Sequence, residues 1–244
     1  MELAHLSTTG KVRTKNEDTV LLVGNAERGL AVVADGMGGH AAGDIASAIV
    51  REVFEASFSL MPNRPMELSE WIEQRVAEAN ARILQFSKEE QLAIVGTTIA
   101  CVCWVEDLLV IGHVGDSRVY ALEGTVLKQL TDDHSYVNML RQMGELSDEE
   151  VENHPRKNVI TRSVGSNETV EVDIQVRDAP DYDLVLVCSD GLTDEVPDDV
   201  IEQIILQDEP LDEIVGRLVK EANARGGADN ITIAAIRFKE RKRV

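Results

Sequence analysis

Residues 96–130 read 96-GTTIACVCWVEDLLVIGHVGDSRVYALEGTVLKQL-130, in which apolar runs follow one another with very short connections. Three of these runs, at 97–105, 108–114 and 117–122, are rich in Val, Ile and Thr and are predicted to be strands. Parallel strands need a crossover of a dozen or more residues, whereas antiparallel strands need only a tight turn. The segment therefore predicts an antiparallel meander.

The rest of the chain keeps its strands and helices in separate blocks. Further strands are predicted at 17–23, 30–34, 170–176, 183–189 and 230–238. Apolar residues recur at helical spacing at 45–56, 68–83 and 211–222. Each of these blocks has one apolar stripe, which is typical of a helix that lies on a sheet. The separation favours an α+β fold over alternating βαβ units.

The domain organisation is predicted to be simple. No linker rich in Ser, Gly or Pro divides the chain, which indicates one domain over residues 1–244. The polar segment from about 134 to 165 is expected to form a short helical insertion, a flap over a sheet edge.

The charge of the chain excludes some classes of partner. The 244 residues include 24 Lys+Arg and 44 Asp+Glu, which gives a formal net charge of −20. This charge repels phosphate backbones and anionic surfaces, so neither nucleic acid nor a membrane is an expected partner. An excess of carboxylates is compatible with hard divalent cations, which prefer oxygen ligands.

The same sequence predicts a cytoplasmic protein. Residues 1-MELAHLSTTGKV-12 lack the apolar core of a signal peptide, and no apolar run approaches the roughly 18 residues of a membrane helix. The three cysteines, Cys101, Cys103 and Cys188, lie in apolar runs, as expected for reduced, buried thiols.

Acidic residues stand at the ends of several predicted strands. They are Asp18 with its neighbour Glu17, Asp35, Asp116, Asp190 and Asp229. A carboxylate beside a buried strand is costly unless its charge is satisfied, and carboxylates with backbone carbonyls are the ligands of Mg²⁺ and Mn²⁺. Any one such acid is more often a turn or cap residue. At this point a metal site and ordinary turn chemistry both remain open.

Eight segments in order identify a family. They are 13-RTKNED-18, 34-ADGMGGHAAGDIAS-47, 96-GTT-98, 113-HVGDSR-118, 131-TDDHS-135, 154-HPRKNVITRSVG-165, 189-SDGLTDE-195 and 227-GADNIT-232. With them the sequence resembles the PPM family of metal-dependent protein Ser/Thr phosphatases (type 2C), in its compact bacterial form. The resemblance implies an α/β/β/α four-layer sandwich, with two antiparallel β-sheets flanked by helices.

The resemblance also implies a binuclear metal centre. Asp35 matches the carboxylate that bridges two metals, and the Gly36 carbonyl matches a ligand of one of them. Asp190 and Asp229 match ligands of the other metal. The implied cofactors are Mn²⁺ or Mg²⁺, two per domain with a third, weaker site.

Other site residues follow from the same motifs. Glu17 and Asp18 match the acidic pair that assists the metals directly or through water. Asp116 matches a ligand of the third metal, together with Asp190 and with Asp194 as a further candidate. Arg13 matches the arginine that holds the substrate phosphate.

One position departs from the pattern of some family members. Where they have a His proposed as the general acid, this chain has Met37, which cannot donate a proton. His40 lies three residues later and is a candidate acid, while a purely structural or substrate-positioning role for His40 and a metal-bound water as the acid remain open. Two other histidines are interpreted without a catalytic role: His113 as a core residue, and His134 as a capping or surface residue.

The implied reaction is hydrolysis of phosphoserine and phosphothreonine in proteins by direct attack of a metal-bridging water. The expected partners are a bacterial Ser/Thr kinase and its substrates, and a monomer is expected. Three alternatives stay open: a PPM-like domain that only binds a partner, an acidic cation-binding protein, and a phosphatase confined to one regulatory phosphoprotein. The second would leave Arg13 in its motif unexplained.

Overall fold

The computed structural model of the chain describes residues 1–38 and 42–238. Its strands are β1 (Glu2–Thr8), β2 (Asp18–Gly24), β3 (Arg28–Gly38), β4 (Val95–Thr97), β5 (Ile99–Val105), β6 (Leu108–Val114), β7 (Arg118–Glu123), β8 (Val126–Gln129), β9 (Asp173–Asp178), β10 (Leu184–Cys188) and β11 (Ile231–Arg237). Its α-helices are α1 (Gly43–Ser57), α2 (Pro65–Glu89), α3 (Tyr136–Gln142), α4 (Asp148–Glu152), α5 (Asp190–Thr193), α6 (Asp198–Ile205) and α7 (Leu211–Arg225).

The strands form two antiparallel sheets. The first has the order β1-β11-β10-β7-β8, and the second has the order β2-β3-β5-β6-β9, with β4 paired to β3 beside this path. The meander predicted over 96–130 supplies β5 and β6 to the second sheet and β7 and β8 to the first. The chain therefore crosses from the second sheet to the first in the turn between β6 and β7.

Apolar clusters hold four layers together. One cluster, which includes Trp104 and Val187, fills the space between the two sheets. A second joins the second sheet to α1 and α2, and a third joins the first sheet to α6 and α7. Strands covered on both faces read as continuous apolar runs, which is why β5 and β10 lack alternation. The predicted α/β/β/α sandwich is confirmed.

The three predicted helices are confirmed as α1, α2 and α7, whereas other elements differ from the prediction. The strand predicted at 170–176 is wrong in its bounds, since β9 covers Asp173–Asp178. Val170 and Val172 precede the residues that pair with β6. They alternate with polar residues because they pack on the apolar cluster beneath α1 and α2. Strand β1 and helix α6 were missed by the sequence patterns.

The polar segment 134–165 contains the short helices α3 and α4. The Ser135 hydroxyl accepts the backbone N–H of Asn138 at the start of α3, and Ser147 forms a capping box with Glu150 at the start of α4. An isolated β-bridge from Ser135 to Ile160 joins the two ends of the segment, and one from Thr97 to Val164 attaches the segment to β4. Over the part of the chain that the structure describes, no helix is long and apolar enough to cross a membrane.

Candidate active site

Acidic residues from both sheets meet at one end of the sandwich. Asp18 opens β2 and Asp35 lies near the end of β3, in the second sheet. Asp116 lies in the turn from β6 to β7, Asp190 opens α5 directly after β10, and Asp229 precedes β11. Electrostatic interactions link Asp35 to Asp18, Asp190 and Asp116, and link Asp190 to Asp229. We call these five residues the acidic group.

Asp18 is tied to the opposite sheet through a serine. The Ser189 hydroxyl donates to Oδ2 of Asp18 at 2.7 Å and accepts the backbone N–H of Thr232 at 3.0 Å. Ser189 follows β10 and Thr232 lies in β11, so this bridge fixes the spacing of the two sheets at the site. Sequence reasoning did not single out Ser189, although it directly precedes Asp190.

Two threonines hold the backbone of Asp35. The Asp35 N–H donates to Oγ1 of Thr98 at 3.0 Å, and the hydroxyl of Thr97 donates to the Asp35 carbonyl at 2.8 Å. Oγ1 of Thr98 also lies 2.7 Å from Oγ of Ser117, the neighbour of Asp116. The hydroxyl of Thr98 therefore connects the strand that carries Asp35 to the turn that carries Asp116.

Two glycines allow the N-terminus of α1 to approach β3. A Cβ atom on Gly36 would lie 2.1 Å from the carbonyl oxygen of Gly43, and one on Gly43 would lie 2.6 Å from the carbonyl oxygen of Gly36. The Gly36 N–H donates to the carbonyl of Glu17 at 3.2 Å. The backbone around the Gly36 carbonyl is thus fixed by contacts that any side chain would block.

Burial dominates the electrostatics of the acidic group. Burial raises the pKa of Asp18 to about 6 and the pKa of Asp116 to about 7. Burial, followed by repulsion from neighbouring carboxylates, raises the pKa of Asp35 and of Asp190 well above the ordinary value. Oδ1 of Asp116 and Oδ1 of Asp190 are buried and have no hydrogen-bond partner within residues 1–38 and 42–238. Buried oxygen donors of this kind fit a hard divalent cation.

Arg13 stands at the exposed edge of the acidic group. Its Nη2 atom lies 2.7 Å from Oδ2 of Asp229, and 54% of its side chain is exposed. Asp35 and the half-buried Glu17 also contribute to the electrostatic field at the guanidinium. Burial raises the pKa of Glu17. A guanidinium placed beside oxygen ligands of a cation can hold a phosphate in a fork.

A buried asparagine holds the loop that carries Arg13. The Nδ2 group of Asn230 donates to the carbonyls of Thr9 at 3.2 Å and of Lys15 at 2.9 Å. Its Oδ1 atom accepts the N–H of Glu17 at 2.7 Å. Asn230 lies inside a motif that the sequence analysis recognised, yet its anchoring role was not predicted. Three contacts so far apart in sequence are visible only in the fold.

A cavity of about 910 Å³ adjoins the acidic group. Asp116 and Asp190 line one part of it, and residues of the 134–165 segment such as Val137 and Lys157 line another. Lys157 Nζ lies 3.4 Å from Oδ1 of Asp194, which also belongs to the lining. The volume suits a bound peptide segment or a small molecule. His40, the candidate acid, lies outside the described residues.

The comparison with a family model decides the family. Residues 10–231 match the family described as protein phosphatase 2C. The chain belongs to the protein phosphatase 2C family. It is accordingly a hydrolase and a PPM-type protein phosphatase, as the resemblance predicted.

Individual relatives agree over nearly the full length. The chain is 38% identical over 233 residues to the serine/threonine phosphatase stp of Listeria monocytogenes, a match that covers 93% of this chain and 92% of the relative. The solved serine/threonine phosphatase of S. agalactiae has a TM-score of 0.91 and 35% identity, with 98% and 99% of the two chains covered. The catalytic domain of the phosphatase PstP, solved in complex with 2 manganese ions, has a TM-score of 0.84 and 32% identity, with 96% of both chains covered.

Proposed function

We propose that this phosphatase hydrolyses phosphoserine and phosphothreonine at the acidic group with the help of Mn²⁺ or Mg²⁺. The observation that carries the proposal is the pair of buried carboxylate oxygens, Oδ1 of Asp116 and Oδ1 of Asp190, that lack a partner in the described part of the chain. A buried ionised carboxylate without a partner is unfavourable, and a cation supplies the missing charge.

The donor set supports two cations with a third, weaker one. Asp35, which interacts with both Asp18 and Asp190, is the candidate bridging ligand, and the Gly36 carbonyl beside it is a candidate ligand of one cation. Asp190 and Asp229 are the candidate ligands of the other. Glu17 and Asp18 support this cluster directly or through water. Asp116, with Asp190 and Asp194, is the candidate site of the third.

The chemistry supplied by a bound pair of cations is acidification of a bridging water and its orientation for in-line attack. The residues of the chain have separate tasks. Asp35 and its neighbours would bind the cations, and Arg13 binds the phosphate and stabilises charge on it. Ser189 links the two sheets, and Thr98 links the strand that carries Asp35 to the turn that carries Asp116. His40 remains the candidate donor of a proton to the leaving alkoxide.

The physiological partners are proposed from the same chemistry. The cavity beside Asp116 and Asp190 gives room to the peptide around the phosphorylated residue. We infer that the substrates are proteins phosphorylated by a bacterial Ser/Thr kinase, and that the phosphatase acts in the cytoplasm as a monomer. The relatives named as serine/threonine phosphatases support proteins phosphorylated on serine or threonine as the substrate class.

The direct test is release of phosphate from a phosphothreonine peptide. Release is expected with Mn²⁺ or Mg²⁺ and is expected to stop with excess chelator. Titration of each ion separately will show which one the enzyme prefers. Folded protein that releases no phosphate with either ion would contradict the proposal and favour the alternative of a domain that only binds phosphoproteins.

A further inference from the structure

A second group of ionisable side chains lies behind the turn that carries Asp116. His113 on β6 faces Asp173 on β9 across the two strands, and the ring of His134 lies 4.7 Å from the ring of His113. One nitrogen or oxygen atom from each of these three side chains lies within 4.8 Å of the chosen atoms of the other two. This geometry is found both in metal sites and in hydrogen-bond relays. The hydrogen bonds of the three side chains distinguish the two.

The hydrogen bonds of His134 assign a relay. The backbone N–H of Gly115 donates to Nδ1 of His134 at 3.0 Å, so Nδ1 carries no proton. The proton of the neutral ring is then on Nε2, which lies 3.1 Å from Oδ2 of Asp173 and donates to it. Burial lowers the pKa of His134, which keeps the ring neutral near pH 7. Nε2 therefore has no lone pair free for a metal.

The relay ends on a turn that requires glycine. Gly115 has a φ of +110°, and a Cβ atom there would lie 2.6 Å from Cγ2 of Thr98. Its carbonyl accepts the backbone N–H of His134 at 2.7 Å. Both polar backbone groups of Gly115 are thus bound by His134, and Asp116 is the next residue. Of the capping or surface roles expected for His134, the surface role is wrong, because only 9% of its side chain is exposed.

The other end of the relay lies in the 134–165 segment. Arg162 donates to Oδ1 of Asp173, so the two oxygens of this carboxylate have different partners. His113 is buried, as predicted, and burial together with His134 lowers its pKa to about 4. A neutral ring therefore packs against His134 and adds no charge to the relay.

We propose that His134, oriented by Asp173, is a positioning residue that holds the Gly115–Asp116 turn so that Asp116 can bind the third cation. This inference rests on the proposed cation-binding role of Asp116. Partners of this kind, which orient a ligand without touching the metal, commonly change metal affinity 10–100-fold when they are replaced.

Two substitutions of His134 separate its two hydrogen bonds. Asn at this position places an amide oxygen where Nδ1 of the histidine lies, so it can still accept the backbone N–H of Gly115. Gln places its amide near Nε2 and keeps the contact with Asp173 but not the acceptor for Gly115. In His134→Gln the weakest Mn²⁺-binding step, followed by calorimetry, is expected to weaken about tenfold. In His134→Asn and in the surface control His5→Asn, the affinity of this binding step is expected to stay close to that of the wild type.

Measurements on the metal-free protein test the relay without activity. The ¹⁵N spectrum of labelled histidine should show His134 protonated at Nε2, and hydrogen exchange at Gly115 should speed up in His134→Gln but not in His134→Asn. A proton on Nδ1 in the wild type overturns the inference even if every variant fails to fold. Equal Mn²⁺ binding by the Gln and Asn variants also overturns it.

Asp116→Asn distinguishes this inference from the proposal beneath it. If Asp116→Asn weakens the last Mn²⁺-binding step and His134→Gln does not, the positioning role of His134 is wrong and the site stands. If Asp116→Asn leaves that step unchanged, the cation role of Asp116 is wrong, and the inference falls with it.

Discussion

Asp18 and Asp35 lie directly opposite each other on β2 and β3. Residues opposite each other in an antiparallel pair project on the same face of the sheet, and like charges in this arrangement repel. The pair is stable only if protons or cations neutralise it. Because pairing of β2 with β3 brings these two acids together, the sheet is more stable when protons or cations are bound at the site.

The metal-free protein should become less stable as the pH rises. Burial raises the pKa of Asp116 to about 7 in the folded state, from an ordinary value of 3.8. A raised pKa contributes stability below the unfolded value, and this contribution is lost as the pH rises through the folded value. Asp18, raised to about 6, acts in the same direction, whereas the lowered pKa of His113 acts in the opposite direction.

Asp116→Asn isolates one of these contributions. The free energy of unfolding of both proteins is measured in urea with chelator present. Between about pH 4 and 7, that of the wild type should fall relative to that of the variant by up to about 1.4 kcal/mol per pH unit. Saturating Mn²⁺ should remove the difference in slope. A constant difference between the two proteins across this range would show that Asp116 is not buried as a protonated acid.

Asp35→Asn should separate activity from stability. The amide keeps the size of the side chain but loses the charge that bridges two cations, so the rate of phosphate release should fall more than about 100-fold. The same change removes a carboxyl group that burial, and then repulsion from Asp18, make unfavourable, so the metal-free variant should be more stable than the wild type at pH 7. The exposed Asp212→Asn on α7 is the matched control, and near-normal turnover by Asp35→Asn would contradict the bridging role.

His40→Ala tests the identity of the general acid. A proton donor matters most when the leaving group is a poor one, such as the alkoxide of serine or threonine. If His40 is the acid, the variant should slow hydrolysis of a phosphothreonine peptide far more than hydrolysis of an aryl phosphate. Equal slowing of both substrates would exclude His40 from this role.

Arg13→Ala should mainly weaken binding of the phosphorylated substrate. A charge-assisted hydrogen bond contributes about 1.5–3 kcal/mol, which corresponds to a rise in KM of about 10–100-fold. Arg51→Ala on α1 is a control with similar exposure, 50% against 54%. An unchanged KM for a phosphopeptide would refute the phosphate-binding role.

The sequence predicted the sheets well because strand signals are local, whereas the metal-binding roles of the acids stay a prediction. Apolar runs gave β5 and β6 with their bounds within two residues, and the motifs located Asp35, Asp116 and Asp190. The partners of these acids could not be predicted. Ser189, for example, lies 171 residues from Asp18, its hydrogen-bond partner, and only the packing of two sheets brings them together.

Asn230 is another residue of this kind, and its removal should act on Arg13 at a distance. Asn230→Ala leaves the carbonyls of Thr9 and Lys15 and the N–H of Glu17 without their partner. We expect a loss of about 1–3 kcal/mol in the free energy of unfolding, and a rise in KM because the loop no longer holds Arg13 in place.

A double-mutant cycle shows whether the two residues act together. If Asn230 works through Arg13, the rise in KM from Asn230→Ala should largely disappear in a background that already carries Arg13→Ala. Asn223→Ala, which removes a side-chain hydrogen bond to the carbonyl of Val219 on α7, is the control for loss of a partly buried amide. Full additivity of the two changes in KM would mean that Asn230 stabilises the fold without positioning the arginine.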